Sequence, residues 1–162
     1  MRRALLVAGT HSDSGKSIIV AGICRWLARE GARVAPFKAQ NMALNSFVTR
    51  EGAEIGRAQA AQAAAARITP EAAMNPVLLK PSAQETQVIV RGKPWATASA
   101  RSYQDMKKDL LPVVLESLED LRQRFDVAIR HTWASSSHTA SSSSSPREIQ
   151  GPNPWSLTTD SR

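Results

Sequence analysis

A short apolar run, A-L-L-V-A at residues 4–8, leads into G-T-H-S-D-S-G-K-S at residues 9–17, after which Ile18, Ile19, Ile23 and Leu27 recur at helical spacing. A strand feeding a glycine-bearing loop that ends in Lys-Ser at a helix start is the layout that wraps a triphosphate. Loop N–H groups line the phosphates, a lysine reaches the β and γ oxygens, and a hydroxyl takes a place on Mg²⁺. The helix opening near Ser17 directs its unpaired N–H groups and positive dipole end at the same anion. Lys16 and Ser17 are therefore the expected phosphate and Mg²⁺ residues, with Gly9, Thr10, Ser14 and Gly15 lining the loop. The first glycine stands one residue earlier than in G-x-x-x-x-G-K-[ST], at Gly9 where that pattern has it at Thr10. Asp13 is a carboxylate inside the loop, which repels phosphate unless it faces away or contacts metal or substrate.

At 162 residues the chain is one domain at most. Its single cysteine, Cys24, falls in the first helix and reads as a small buried hydrophobe, so thiolates can form neither an internal disulfide nor a zinc cluster. Arg2 and Arg3 precede an apolar stretch of about six residues, too short for a signal peptide or a membrane span. A cytoplasmic location and no membrane partner are expected. The net charge of +7 is spread singly along the chain among few aromatics, which argues against nucleic acid as a partner.

Gly31 is suited to end the first helix, and residues 32–38 read as a second strand in a parallel strand–helix–strand unit. The alanine- and glutamine-rich residues 53–67 form a predicted helix. A short apolar run at 75–81 and an alternating strand at 87–92 follow. A further helix is expected from Ser102, where S-Y-Q-D resembles a capping box closed by Asp105. Leu111, Val114, Leu115, Leu118 and Leu121 give it one apolar stripe, and Pro112 predicts a kink or restart. Residues 125–129 read as a buried strand beside the first. From Trp133 to Ser145, eight of thirteen residues are serine, and no apolar period follows, so residues 130–162 are predicted to be a disordered tail.

Four motifs in order carry a family resemblance: the 9–17 loop, A-P-F-K-A-Q-N-M at 35–42, E-I-G-R-A-Q at 54–59 and M-N-P-V-L-L-K-P at 74–81. Over residues 1–129 the chain resembles the N-terminal P-loop synthetase domain of cobyric acid synthase, the glutamine-dependent amidotransferase of cobalamin biosynthesis. Dethiobiotin synthetase and the MinD/ParA group share the first motif but not the whole set. The resemblance implies an α/β fold, a P-loop NTPase-like three-layer parallel sheet of dethiobiotin synthetase type, here incomplete. It implies ATP and Mg²⁺ as cofactors and a corrin substrate of cobyrinate diamide type. The γ-phosphoryl group passes to a corrin carboxylate, and ammonia then displaces phosphate from the acyl phosphate; such chemistry needs cations and backbone donors aimed at the transferring group.

Within that resemblance Lys16 and Lys38 are the candidate catalytic cations. Lys38 ends the second strand, where a parallel sheet presents its carboxyl edge to ligands; spacing alone reads it equally well as a surface lysine. Gln40 and Asn41 fit hydrogen bonds to substrate or to the metal's water shell, or are plain loop residues. Glu54 is a candidate Mg²⁺ carboxylate or a solvated glutamate favourable to a helix dipole.

The chain departs from the pattern after residue 129. The family continues into Glu-Gly-Ala-Gly-Ser, whose glutamate resembles a metal ligand, and then into a domain whose cysteine and histidine release ammonia from glutamine. Here Arg130-His131-Thr132-Trp133 and serines follow, and no second cysteine exists. Loss of a metal carboxylate removes several kcal/mol of transition-state stabilisation. The sequence therefore reads as a truncated synthetase domain that lacks amidation activity and leaves a sheet edge and an apolar face bare. Out-of-frame translation of a GC-rich gene accounts for the tail. The alternative is a genuine tail on a stand-alone nucleotide-binding module of MinD/ParA or dethiobiotin synthetase type. His11 and His138 suit neither triad nor metal, and His131 is read as part of the tail.

Overall fold

The computed structural model describes residues 3–9 and 14–133. Thr10, His11 and Asp13 of the loop lie outside the described residues, as does the serine-rich tail with the disorder expected of it.

β1 (Arg3–Gly9), β2 (Val34–Phe37) and β9 (Val127–Trp133) form one parallel sheet in the order β1-β9-β2. The register pairs Leu5 with Ile129, Val7 with His131 and Phe37 with Arg130. The expected pairing of the last strand with the first is present, and that strand also pairs with β2. Residues 130–133, expected to begin a disordered tail, are instead strand, because Arg130–Trp133 find backbone partners along Leu6–Gly9.

A second sheet was not foreseen. Its order is β3-β6-β7-β8, comprising β3 (Gln40–Met42), β6 (Val77–Pro81), β7 (Thr86–Val90) and β8 (Lys93–Ala98). Only β3 and β6 run parallel; β6-β7 and β7-β8 are antiparallel hairpins. The α/β fold with parallel strands expected from the resemblance is present, and the turn at Arg91-Gly92 sends the chain straight back to form the β7-β8 hairpin. Both residues there have positive φ, as a type I′ hairpin turn requires. Gln40 and Asn41, expected in a loop, are strand residues because β6 offers them a ladder.

The second helix also differs. β4 (Ser46–Val48) and β5 (Glu54–Gly56) form a hairpin, and α2 is only Arg57–Ala65. Residues 53–56 are taken from the helix by strand partners: Ala53 O accepts from Thr49 N, Glu54 N donates to Gly92 O, and Gly56 N donates to Asn75 Oδ1. A single 3₁₀ turn, Ala72–Met74, precedes β6.

α1 (Lys16–Arg29) buries Val20 and Cys24, while Ile18 and Ile19, expected on its apolar face, are exposed. Cys24 is the small buried hydrophobe expected, and burial pushes its thiol up to about 12. α3 (Ala100–Arg124) is capped by Ser99, whose side chain accepts from Ser102 N; the helix therefore starts ahead of the predicted box at Ser102. It passes Pro112 without a break in the helix. Leu110, Val114, Leu118 and Leu121 are buried, and Leu115 is exposed.

The layers follow from strand alternation. Ala35, Phe37 and Ala128 face a large core closed by α3 and the second sheet, whereas Val34 and Ile129 face a smaller one with α1. α2 supplies Ala63 to the first cluster, and Ala66, just past its end, joins the second. Among the described residues β1 is the outer strand of its sheet, and Leu5 and Leu6 are exposed. Among the described residues no helix is long and apolar enough to cross a membrane.

Candidate functional site

Three parallel strands bring their carboxyl ends to one edge, so Gly9, Lys38 (one residue past β2) and His131 near the end of β9 share that edge. Gly15 follows as the N-cap of α1 with φ +78, a left-handed conformation that glycine adopts freely. No side chain among the described residues caps that helix end. Lys16 folds back over the end of β1. Its Nζ donates to Ser14 Oγ at 2.9 Å, and a Cβ on Gly9 would lie 2.5 Å from Ser14 Oγ and 2.8 Å from Lys16 Cδ. A side chain at Gly9 would thus displace the Ser14 hydroxyl and the Lys16 side chain from the end of β1. Gln62 steadies the first turn of α1 by donating from Nε2 to Ser17 O at 3.1 Å.

From Lys38 a chain of side chains crosses the edge. Lys38 Nζ donates to Asn41 Oδ1 at 2.7 Å, Asn41 Nδ2 donates to Gln59 Oε1 at 3.1 Å, and Gln59 Nε2 stands 2.9 Å from His131 Nε2. Gln59 is fully buried and His131 is 4% exposed. Burial, with Lys38 and Lys16 nearby, pulls the imidazole down to about 4, so it is neutral at pH 7. Asn75 pins the same region, accepting from Gly56 N and donating to Lys38 O and Val77 O.

The structure thus gathers Gly9, Ser14, Gly15, Lys16 and Ser17 at the start of α1, and ties Lys38 to Asn41. Gln40 turns aside: its Oε1 accepts from the Tyr103 hydroxyl on α3 at 2.9 Å. Glu54 is not a helix-start residue. It lies in β5, where it takes hydrogen bonds from Lys80 Nζ (2.7 Å) and Ser46 Oγ, which hold its carboxyl below the usual range. Among the described residues no cluster of three or more His, Cys, Asp or Glu side chains could hold a metal by itself.

Sequence reasoning missed Gln59, Asn75 and His131. Two of them sit inside quoted motifs, and a glutamine buried within an alanine-rich helix was the available signal. His131 had none, because its burial comes from strand pairing.

Residues 5–144 match the family described as the CobQ/CobB/MinD/ParA nucleotide binding domain. The chain belongs to that family. That family supports nucleotide binding in general. Similar proteins include a cobyric acid synthase of Frankia casuarinae, 66% identical over 130 residues, which are 80% of this chain and 25% of that protein. Another is from Streptomyces avermitilis, 60% identical over 131 residues, 80% of this chain and 26% of the relative. A third, from Rhodococcus jostii, is 58% identical over 127 residues, 78% and 25% of the two chains. The chain spans about a quarter of the length of these relatives.

Proposed function

We propose that this chain binds Mg-ATP at residues 9–17 and derives from a cobyric acid synthase whose complete form amidates corrin carboxylates. The observation that carries this reading is Lys16 folded against Gly9 beside an uncapped helix start, on the edge that also holds Lys38. Lys16 and the N–H groups of the first turn of α1 take the phosphate charge. Ser17 offers its hydroxyl to Mg²⁺, which when bound neutralises charge on the phosphate oxygens. Thr10 and Asp13 belong to the same loop. Glu54 reaches the metal only if it releases Lys80. Lys38, held by Asn41, supplies the second cation for the transferring group or the substrate carboxylate, and Gln40 lines that side. Glutamine-derived ammonia would come from another part of that complete form.

Calorimetric titration with Mg-ATP tests this. Binding that weakens when Mg²⁺ is omitted, and that loses its Mg²⁺ dependence in Ser17→Ala, is the expected result; no binding by the folded chain defeats the reading.

A second reading rests on His131. A neutral imidazole between two lysines gives no negative charge for a metal, so the chain as it stands holds nucleotide without ligase turnover. With Mg-ATP, ammonia and a corrin carboxylate, phosphate release should not exceed the rate without the corrinoid. Corrinoid-dependent release would refute it.

A further inference from the structure

The chain Lys38–Asn41–Gln59–His131 has only one direction. An ammonium can only donate, so Asn41 must present Oδ1 to Lys38 and therefore Nδ2 to Gln59. Gln59 accepts with Oε1, which leaves Nε2 as a donor facing His131 Nε2. His131 Nε2 must then be the acceptor, with the ring proton on Nδ1. Each link settles the next, starting from a charge that cannot reverse.

Backbone geometry is built around this contact. A Cβ on Gly56 would collide with the Asn41 side chain and with Gln59 Oε1, so glycine at the β5–α2 junction is what lets the two amides meet. Gly56 N itself donates to Asn75 Oδ1, and Asn75 Nδ2 donates to Lys38 O, so the backbone on both sides of the pair is fixed. Among the described residues the charged groups that act on His131 are Lys38 and Lys16, both cations, and a proton on Nε2 would also oppose the Gln59 donor.

We propose that Gln59 is a positioning residue of the phosphate site: one buried amide aims the Lys38 ammonium through Asn41 and fixes His131 as a neutral acceptor with its proton on Nδ1. The role toward phosphate rests on the Mg-ATP reading above; the order of donors and acceptors does not.

Nitrogen chemical shifts and pH titration of His131 in the full chain, together with Mg-ATP titration, test both parts. In the unsubstituted chain His131 should show an unprotonated Nε2 at pH 7 and stay neutral below pH 5. Gln59→Glu keeps the acceptor for Asn41 but replaces the donor with a carboxylate, so His131 must offer an N–H, and its midpoint should rise above 6.5. Gln59→Leu should weaken Mg-ATP binding about tenfold, with little further loss when Lys38→Met is added. Should Gln59→Leu not fold, Gln59→Glu carries the test alone. A protonated Nε2 in the unsubstituted chain at pH 7, or an unmoved midpoint in Gln59→Glu, overturns the hydrogen-bond order. Mg-ATP binding indifferent to Gln59→Leu overturns the positioning role, whereas no binding by the unsubstituted chain overturns the phosphate reading beneath it.

Discussion

The two faces of the β1-β9-β2 sheet are built differently. Toward α3, Phe37, Ala35 and Ala128 join Leu110, Val114, Leu121, Met74 and Leu79 in one continuous core. Toward α1, the fully enclosed apolar residues are few, mainly Val20, Cys24, Val34 and Ile129, and Ile18, Ile19, Trp26 and Leu5 remain at the surface. One face is closed by its own chain; the other covers the middle of the sheet and leaves β1 open. Stability therefore resides on the α3 side, while the proposed phosphate site at the start of α1 lies on the thinner side.

The largest effect should come from the closed face. Leu121→Ala or Leu110→Ala removes a buried side chain there and should cost about 2–5 kcal/mol in urea unfolding. A loss below about 1 kcal/mol would mean that this core is not close-packed.

Acid should act next. His131 ordinarily titrates near 6.5 and is held down to about 4 in the fold, so between these values the unfolded chain binds more protons. Stability from this group is intact above pH 6.5 and falls as pH drops toward 4, by on the order of 3 kcal/mol. Comparing the pH slope of the urea midpoint with that of His131→Gln isolates the term, since other carboxylates titrate in both. Equal slopes would place His131 in solvent.

Val20→Ala, at the centre of the thin face, should cost about 2 kcal/mol. Ile18→Lys on the exposed side of the same helix should change stability by less than about 0.5 kcal/mol. If Ile18→Lys destabilised as much as Val20→Ala, the contrast between the faces would collapse.

Elements with strong local patterning were legible in the sequence: β1, the loop, α1, β2, α3 and the pairing of the last strand with the first. What was not legible depended on partners distant in sequence. Residues 53–56 have helix propensity, yet Thr49, Gly92 and Asn75 hold them extended. β8 carries Pro94, which argues against a central strand but is tolerated in an outer strand beside the register shift at Val88/Ile89. Ile18 and Ile19 follow a helical period, but the face they share finds nothing to cover it. In the site, Gly9, Lys16 and Ser17 were readable because loop, lysine and hydroxyl are consecutive. Gln59 and His131 meet across 72 positions, and only the fold joins them.

The central claim is that the loop at the start of α1 holds nucleotide phosphates through Lys16. The most direct test is calorimetric titration of Mg-ATP into the chain and into Lys16→Ala, both shown to be folded by circular dichroism. Saturable binding that Lys16→Ala weakens at least about a hundredfold, a loss of roughly 2.7 kcal/mol, is the predicted result. Binding of equal strength in the two proteins would contradict the account, because the nucleotide would then sit away from the Gly9–Lys16 contact.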